Sequence, residues 1–149
     1  MGAPSLSELL REFGELKPYK RVNRYYINID SSQLRSVIKK LKEAYNGEIY
    51  LSSITPVDYI KDGVIEVNYE IQILPINTLI VLKTKIPRDN AVIDSIVDIL
   101  PGAKVLEQEA HDLMGISFNG NPYLRKPFLL PEELAEETPL RKDWKPKTR

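Results

Sequence analysis

Between Ile65 and Ile86 apolar and polar side chains alternate in two runs. Ile65, Val67, Tyr69, Ile71 and Ile73 interleave with Glu66, Asn68, Glu70 and Gln72, and after a break at Pro75 and Asn77 come Thr78, Ile80, Leu82, Thr84 and Ile86. A period of two sends successive side chains to opposite faces of a strand, so each run commits one face to a core and the other to water. Asp62-Gly63 ahead of the first run is a tight-turn signal, and Glu48 to Ile60 reads as the strand on its other side. A sheet so patterned is half-solvated and largely antiparallel, and its apolar face needs a cover.

Helices supply that cover. Leu34, Val37, Ile38, Leu41, Ala44 and Tyr45 recur at helical spacing behind the capping oxygens of Asp30, Ser31 and Ser32, with Gly47 where a C-cap is wanted. A second helix is predicted over Val92, Ile93, Ile96, Val97, Ile99 and Leu100, stopped by Pro101-Gly102. Arg21 to Ile29 reads as one more strand, and Leu6, Leu9, Leu10 and Phe13 as a short amphipathic helix between Pro4 and Gly14. The order strand, helix, three strands, helix specifies an α+β two-layer sandwich, a largely antiparallel four-stranded sheet with both helices on one face. A chain of 149 residues has length for one such core. Residues 1–105 read as the α+β domain and 106–149 as a separate segment ending in an extended C-terminal arm. Glu107 to Met114 suits one further helix. Past Gly115, the run Asn119-Gly120-Asn121-Pro122 and then Pro127, Pro131, Pro139 and Pro146 leave little room for regular structure.

Several classes of chemistry lack their residues. Without cysteine there is no thiolate for an iron–sulfur cluster, a structural zinc or a disulfide. The glycines are scattered at turns, not gathered into a phosphate-binding loop, and no nucleophile elbow is present. Lys plus Arg and Asp plus Glu both number 21, so any charge-driven contact is local. Apolar runs such as Leu79 to Leu82 fall far short of the ~20 residues of a membrane span. Met1 to Arg11 carries Glu8 and no apolar signal core, so secretion is not indicated and a cytoplasmic chain is expected.

His111, the single histidine, stands among Glu107, Glu109 and Asp112 and is the one candidate for a metal or acid–base site. The two-histidine helical signature is missing, and Glu109 and His111 diverge on a helix, so a surface or interface role is favoured. Tyr25 and Tyr26 beside Arg21 and Arg24 sketch an RNA-stacking strand, for which cross-strand packing is the plainer account. The tail is different. Phe118, Tyr123, Leu124, Phe128, Leu129, Leu130, Leu140 and Trp144 place apolar area on a proline-broken segment beside Arg125, Lys126, Arg141 and Lys142. Rings and arginines of that kind are interface anchors, so docking on a partner is expected over packing on the chain's own domain.

The stretch from Glu107 to Trp144 resembles a known family. Glu107-Gln108-Glu109-Ala110-His111-Asp112-Leu113-Met114-Gly115-Ile116-Ser117-Phe118 is similar to the E-R-E-x-x-D-[hydrophobic]-x-G-x-x-F signature of the thirty-kilodalton (C-type) subunit of complex I and NADH dehydrogenase. Pro122, Leu124, Arg125 and Lys126 are similar to its H-P-x-L-R-R, and Pro139-Leu140-Arg141-Lys142-Asp143-Trp144 to its P-L-R-K-D-aromatic ending. Three blocks in one order over about 40 residues make a specific pattern.

The resemblance implies a subunit without redox cofactors in the peripheral arm of a complex I-like, ion-translocating oxidoreductase, on the cytoplasmic side of the membrane. Its implied partners are a hydrogenase-large-subunit-like (D-type) protein, a cluster-bearing (B-type) small subunit and, indirectly, the membrane ion-pumping module, with no nucleic acid. Iron–sulfur clusters, and a nickel–iron centre where one exists, belong to those partners. Gln108 for arginine, Asn121 for histidine and Tyr123 for aspartate depart from the respiratory pattern. They point to a membrane-bound nickel–iron hydrogenase or related sulfur-reducing complex ahead of an NADH/quinone-type or F(420)H(2)-type dehydrogenase. The implied docking residues are Glu107, Glu109, Asp112, Gly115, Phe118, Pro122, Leu124, Arg125, Lys126, Pro139, Leu140, Arg141, Lys142, Asp143 and Trp144. Glu109 and Asp112 are expected to accept bonds from partner donors, Phe118, Leu124 and Trp144 to fill partner pockets, and Arg125, Arg141 and Lys142 to pair with partner carboxylates.

Overall fold

Strand periodicity governs the architecture. In the computed structural model, which describes residues 5–146, β3 (Ile49–Tyr59), β4 (Val64–Ile73) and β5 (Thr78–Pro87) form an antiparallel meander with β4 in the middle. Ile65, Val67, Tyr69, Ile71 and Ile73 of β4 are fully buried on one face, and Ile86, Thr84, Leu82, Ile80 and Thr78 of β5 stand opposite them in register. The meander is turned at Gly63, which adopts the left-handed φ of 68° that a side chain would oppose. One irregularity interrupts β3: the register slips between Leu51 and Ser53, and the Ser52 hydroxyl donates to the Glu70 carbonyl at 3.0 Å.

β1 (Lys17–Pro18) and β2 (Arg24–Asn28) complete the sheet in the order β1-β2-β5-β4-β3. It therefore has five strands where the sequence pattern predicts four, and β2 lies parallel to β5. A parallel neighbour needs a crossover, and α2 (Leu34–Ala44) begins it, burying Leu34, Val37, Ile38 and Leu41 in the core that holds the β4 face. Full burial of each such side chain contributes about 1.5–3 kcal/mol. α1 (Leu6–Leu9) is a single turn capped by Ser5 and does not run on to Phe13; Pro4, read as its start signal, lies outside the described residues.

The predicted helix over Val92–Leu100 does not form. Its first residues make β6 (Val92–Asp94), paired in parallel with β7 (Ser117–Asn119), and Ile96–Leu100 form one isolated turn. The β-branched run Val92, Ile93, Ile96, Val97 and Ile99 resists a helix, and a tertiary contact decides the matter. Glu107 accepts hydrogen bonds from the Ser95 hydroxyl and the Ile96 N–H, which pins the chain in a turn there. The second helix is instead α3 (Ala103–Met114). Position 105/106, where composition separates body from arm, falls inside α3, and Met114, Ile116 and Phe118 share the core with β4.

Tyr69 is completely buried and its hydroxyl has no partner among the described residues. Burial, and then the charge of Glu107, push that phenol well above its ordinary pKa. Tyr69→Phe removes an unpaired polar group at nearly constant volume, so urea denaturation should show a gain of about 1 kcal/mol.

Candidate functional site

α3 is built of strong helix formers, and it ends where Gly115 turns left-handed at φ 72° and donates to the His111 carbonyl at 3.0 Å. A β-carbon at Gly115 would come within 2.8 Å of Thr138 Cγ2, so glycine also lets the C-terminal arm pass closely. The arm satisfies the other carbonyls of the last helical turn. Lys126 Nζ donates to the Asp112 carbonyl at 2.7 Å, Leu140 N–H to that of Leu113 at 3.2 Å, and Arg141 Nε to that of Met114 at 2.7 Å. Helix ends leave such acceptors without intrahelical donors, and here the arm provides them.

Three carboxylates complete the attachment. Asp112, with no exposed surface, accepts the Phe128 N–H on one oxygen at 3.0 Å and the Leu129 and Leu130 N–H groups on the other at 2.7 and 2.9 Å. Burial raises its pKa, but the three backbone donors together outweigh that and hold the carboxyl below its usual range. Asp58 is buried at the end of β3, where the Arg88 guanidinium grips it at 2.7 and 3.0 Å and the Lys142 N–H donates at 2.8 Å. Arg88 lowers the Asp58 pKa and has its own raised in return. It also reaches Asp143 at 2.7 Å, so Asp58 and Arg88 between them tie Lys142 and Asp143 to the sheet. Glu107 sits about 140° around the helix from Asp112. It takes the Ser95 hydroxyl at 2.6 Å, the Ile96 N–H at 3.0 Å and the Asn121 amide at 2.9 Å. Burial pushes its carboxyl up, and these three donors offset only part of the rise.

Glu107, His111 and Asp112 therefore do not converge. Both carboxylates are buried and saturated, and His111 Nδ1 lies 2.8 Å from the Ile116 carbonyl. Among the described residues no group of three His, Asp or Glu side chains comes together to hold a metal. The arrangement fastens an arm.

Several outward roles expected from sequence turn inward. Asp112 is occupied by the arm itself, Phe118 pairs opposite Ile93 inside the core, Leu124 packs on that core, and Arg141 spends its donors on carbonyls of Met114 and Arg88. Trp144 is half-buried with Nε1 on Glu137, and Pro139 is half-buried. Glu109, Pro122, Arg125, Leu140, Lys142 and Asp143 are exposed, Arg125 lying over the Phe128 ring at 5.4 Å. Sequence reasoning missed Asp58, Arg88, Ser95 and Glu137. Asp58 had a signal, an acidic residue at an inward position of an alternating strand; Arg88 and Ser95 had none, because their partners are far away in the chain.

A family profile described as respiratory-chain NADH dehydrogenase, 30 Kd subunit, matches residues 27–149. The chain is 34% identical over 143 residues to the C-type subunit of NADH-quinone oxidoreductase from Moorella thermoacetica, across 96% of this chain and 95% of that protein. It is 33% identical over 137 residues to the C-type subunit of F(420)H(2) dehydrogenase from Methanosarcina mazei, across 92% and 83%. A chain from the membrane-bound sulfane sulfur reductase, an archaeal respiratory membrane complex, superposes with a TM-score of 0.83 at 29% identity, over 93% of this chain and 82% of that one. A trypsin-resistant fragment of Nqo5 shares the fold, with a TM-score of 0.67 at 20% identity.

Asp112→Asn replaces one acceptor oxygen by an amide that faces N–H donors, so it should cost about 2–4 kcal/mol and open residues 126–145 to limited proteolysis. The pH dependence has a definite sign. The folded pKa of Asp112 lies below the unfolded value of about 3.9, so its contribution is complete above that pH and is lost as pH falls through the depressed value. Acid titration of stability should be shallower in Asp112→Asn than in the wild type.

Proposed function

The chain belongs to the respiratory-chain NADH dehydrogenase 30 Kd subunit family, and from that premise we propose that it is a non-catalytic peripheral-arm subunit of a complex I-like, ion-translocating oxidoreductase. It docks on and stabilises a hydrogenase-large-subunit-like companion, touches a cluster-bearing small subunit, and reaches the ion-pumping module through them. The observation that carries this reading is what the fastened arm displays. Tyr123, Leu129 and Leu140 remain 48%, 58% and 59% exposed, although the backbone around Leu129 and Leu140 is held by Asp112 and Leu113. Apolar side chains presented on an already ordered backbone lose little entropy on binding, which is what an interface anchor needs. The docking contacts are thus these outward leucines and Tyr123, with Arg125, Lys142 and Glu109 at the rim.

In this reading the iron–sulfur clusters, and any nickel–iron centre, reside in the companions, consistent with a chain that has no cysteine. Among the described residues no helix is long and apolar enough to cross a membrane, so attachment to the cytoplasmic side runs through the companions. A sulfur-reducing or hydrogenase-type assembly is favoured by the backbone likeness to the sulfane sulfur reductase chain over most of both chains. A quinone- or F(420)H(2)-linked dehydrogenase is the second reading, favoured by the identity over most of the length of C-type subunits of those kinds.

The test is Leu129→Glu with Leu140→Glu in the tagged full-length chain. Melting should stay within about 0.5 kcal/mol of wild type because both positions are exposed. Recovery of the large companion, quantified by mass spectrometry, should drop about tenfold or more; undiminished recovery would sink the reading.

A further inference from the structure

The β1–β2 hairpin is left unexplained by the arm. Residues 16–29 hold Lys17, Lys20, Arg21 and Arg24 and no acidic residue, in a chain whose charges cancel overall. All four cations are exposed, and none is in an ion pair among the described residues. At the tip Val22 is 85% exposed, beside Asn23 at a left-handed φ of 60°. Behind it lies a cleft of about 500 Å³ lined by Tyr19, Lys20, Arg21, Arg24, Glu70 and Val81. The family match begins at residue 27, within β2, so the basic part of the hairpin from Lys17 to Arg24 precedes it.

We propose that the hairpin is a second docking surface, taking an acidic segment of a neighbouring protein that seats one apolar side chain in the cleft and pairs its carboxylates with Lys20, Arg21 and Arg24. This rests on the proposed function in that the chain is held among companions, but not on the arm being what holds it. Charge complementarity sets the occupant's sign, and two arginines and a lysine around an apolar floor of Val81 and Tyr19 suit a carboxylate-flanked aliphatic group. Strand addition is not the mode, because β1 has only two residues and one is Pro18, which lacks an N–H. RNA fits poorly. Tyr25 packs against the core, and the Tyr26 ring is already flanked by Tyr19 at 4.9 Å and by Lys83 at 5.0 Å, so the two tyrosines of β2 are engaged within the chain.

Two measurements on the full-length protein decide it. In fluorescence anisotropy, the isolated chain should bind a peptide of alternating Glu and Leu. Binding should weaken about tenfold between about 50 and 300 mM salt, and by a similar factor in Lys20→Glu/Arg21→Glu/Arg24→Glu. The milder Lys20→Gln/Arg21→Gln/Arg24→Gln variant should lose less, and Leu129→Glu/Leu140→Glu should bind as wild type. No peptide binding, binding indifferent to the charge reversals, or tighter binding to a single-stranded RNA would overturn the proposal. In the purified assembly, a photo-crosslinker in place of Val22 should label an Asp- or Glu-rich stretch of a companion. Labelling of a stretch without acidic residues, or none in an assembly that keeps its companions, would also overturn it. Loss of every companion from the wild-type chain would defeat the parent reading, while the peptide result would still decide this one.

Discussion

A carboxylate with no exposed surface needs donors, and for Asp112 near the end of α3 the need is acute because the negative end of the helix dipole lies beside it. It is met by three consecutive backbone N–H groups of residues 128–130. That demand sets the course of the arm. Once Phe128 to Leu130 are held there, Lys126 falls where it bridges the carbonyls of Asp112 and Glu137, and the chain returns across Gly115 to place Leu140 and Arg141 on the last turn. The arm and the helix terminus are each incomplete without the other.

The same logic extends to the sheet. Asp58 sits on the apolar side of β3, where an unpaired charge would be costly, and Arg88 from the end of β5 neutralises it in a two-point contact. Asp58 has a remaining site for the Lys142 N–H, and Arg88 a remaining donor for Asp143. Glu107 performs the matching task on the opposite side of α3, joining the turn at Ser95 and Ile96 to Asn121. Buried acids thus hold the arm and the turn against the body, and the apolar residues not consumed in doing so are the ones left facing outward.

This division changes what docking means for the chain. A loose ribbon would order only on contact with a partner and lose binding energy in doing so. An arm already fixed to its own domain presents Leu129 and Leu140 in place, at the expense of Phe118 and Leu124, which serve the core instead. In the proposed docking, partner contact is a matter of a few side chains displayed on an already fastened arm, while the basic hairpin lies at the far edge of the sheet.

Elements whose signal is local were legible in the sequence. The period-two runs of β4 and β5, the Gly63 turn and α2 appear where periodicity puts them, because alternation and helical spacing record which face of each element is buried. The ordered motif blocks around Glu107, Leu124 and Pro139 likewise marked the family, whose profile matches residues 27–149. Only the tertiary structure decided that Val92 and Ile93 are a strand, since that depends on β7 and on a carboxylate from α3. It alone decided, too, which way the motif residues face. Glu107, Asp112 and Arg141 carry charge, which in a sequence is indistinguishable from surface; whether a charge meets water, a partner or the chain's own backbone is set by donors and acceptors many residues away, brought near by the fold.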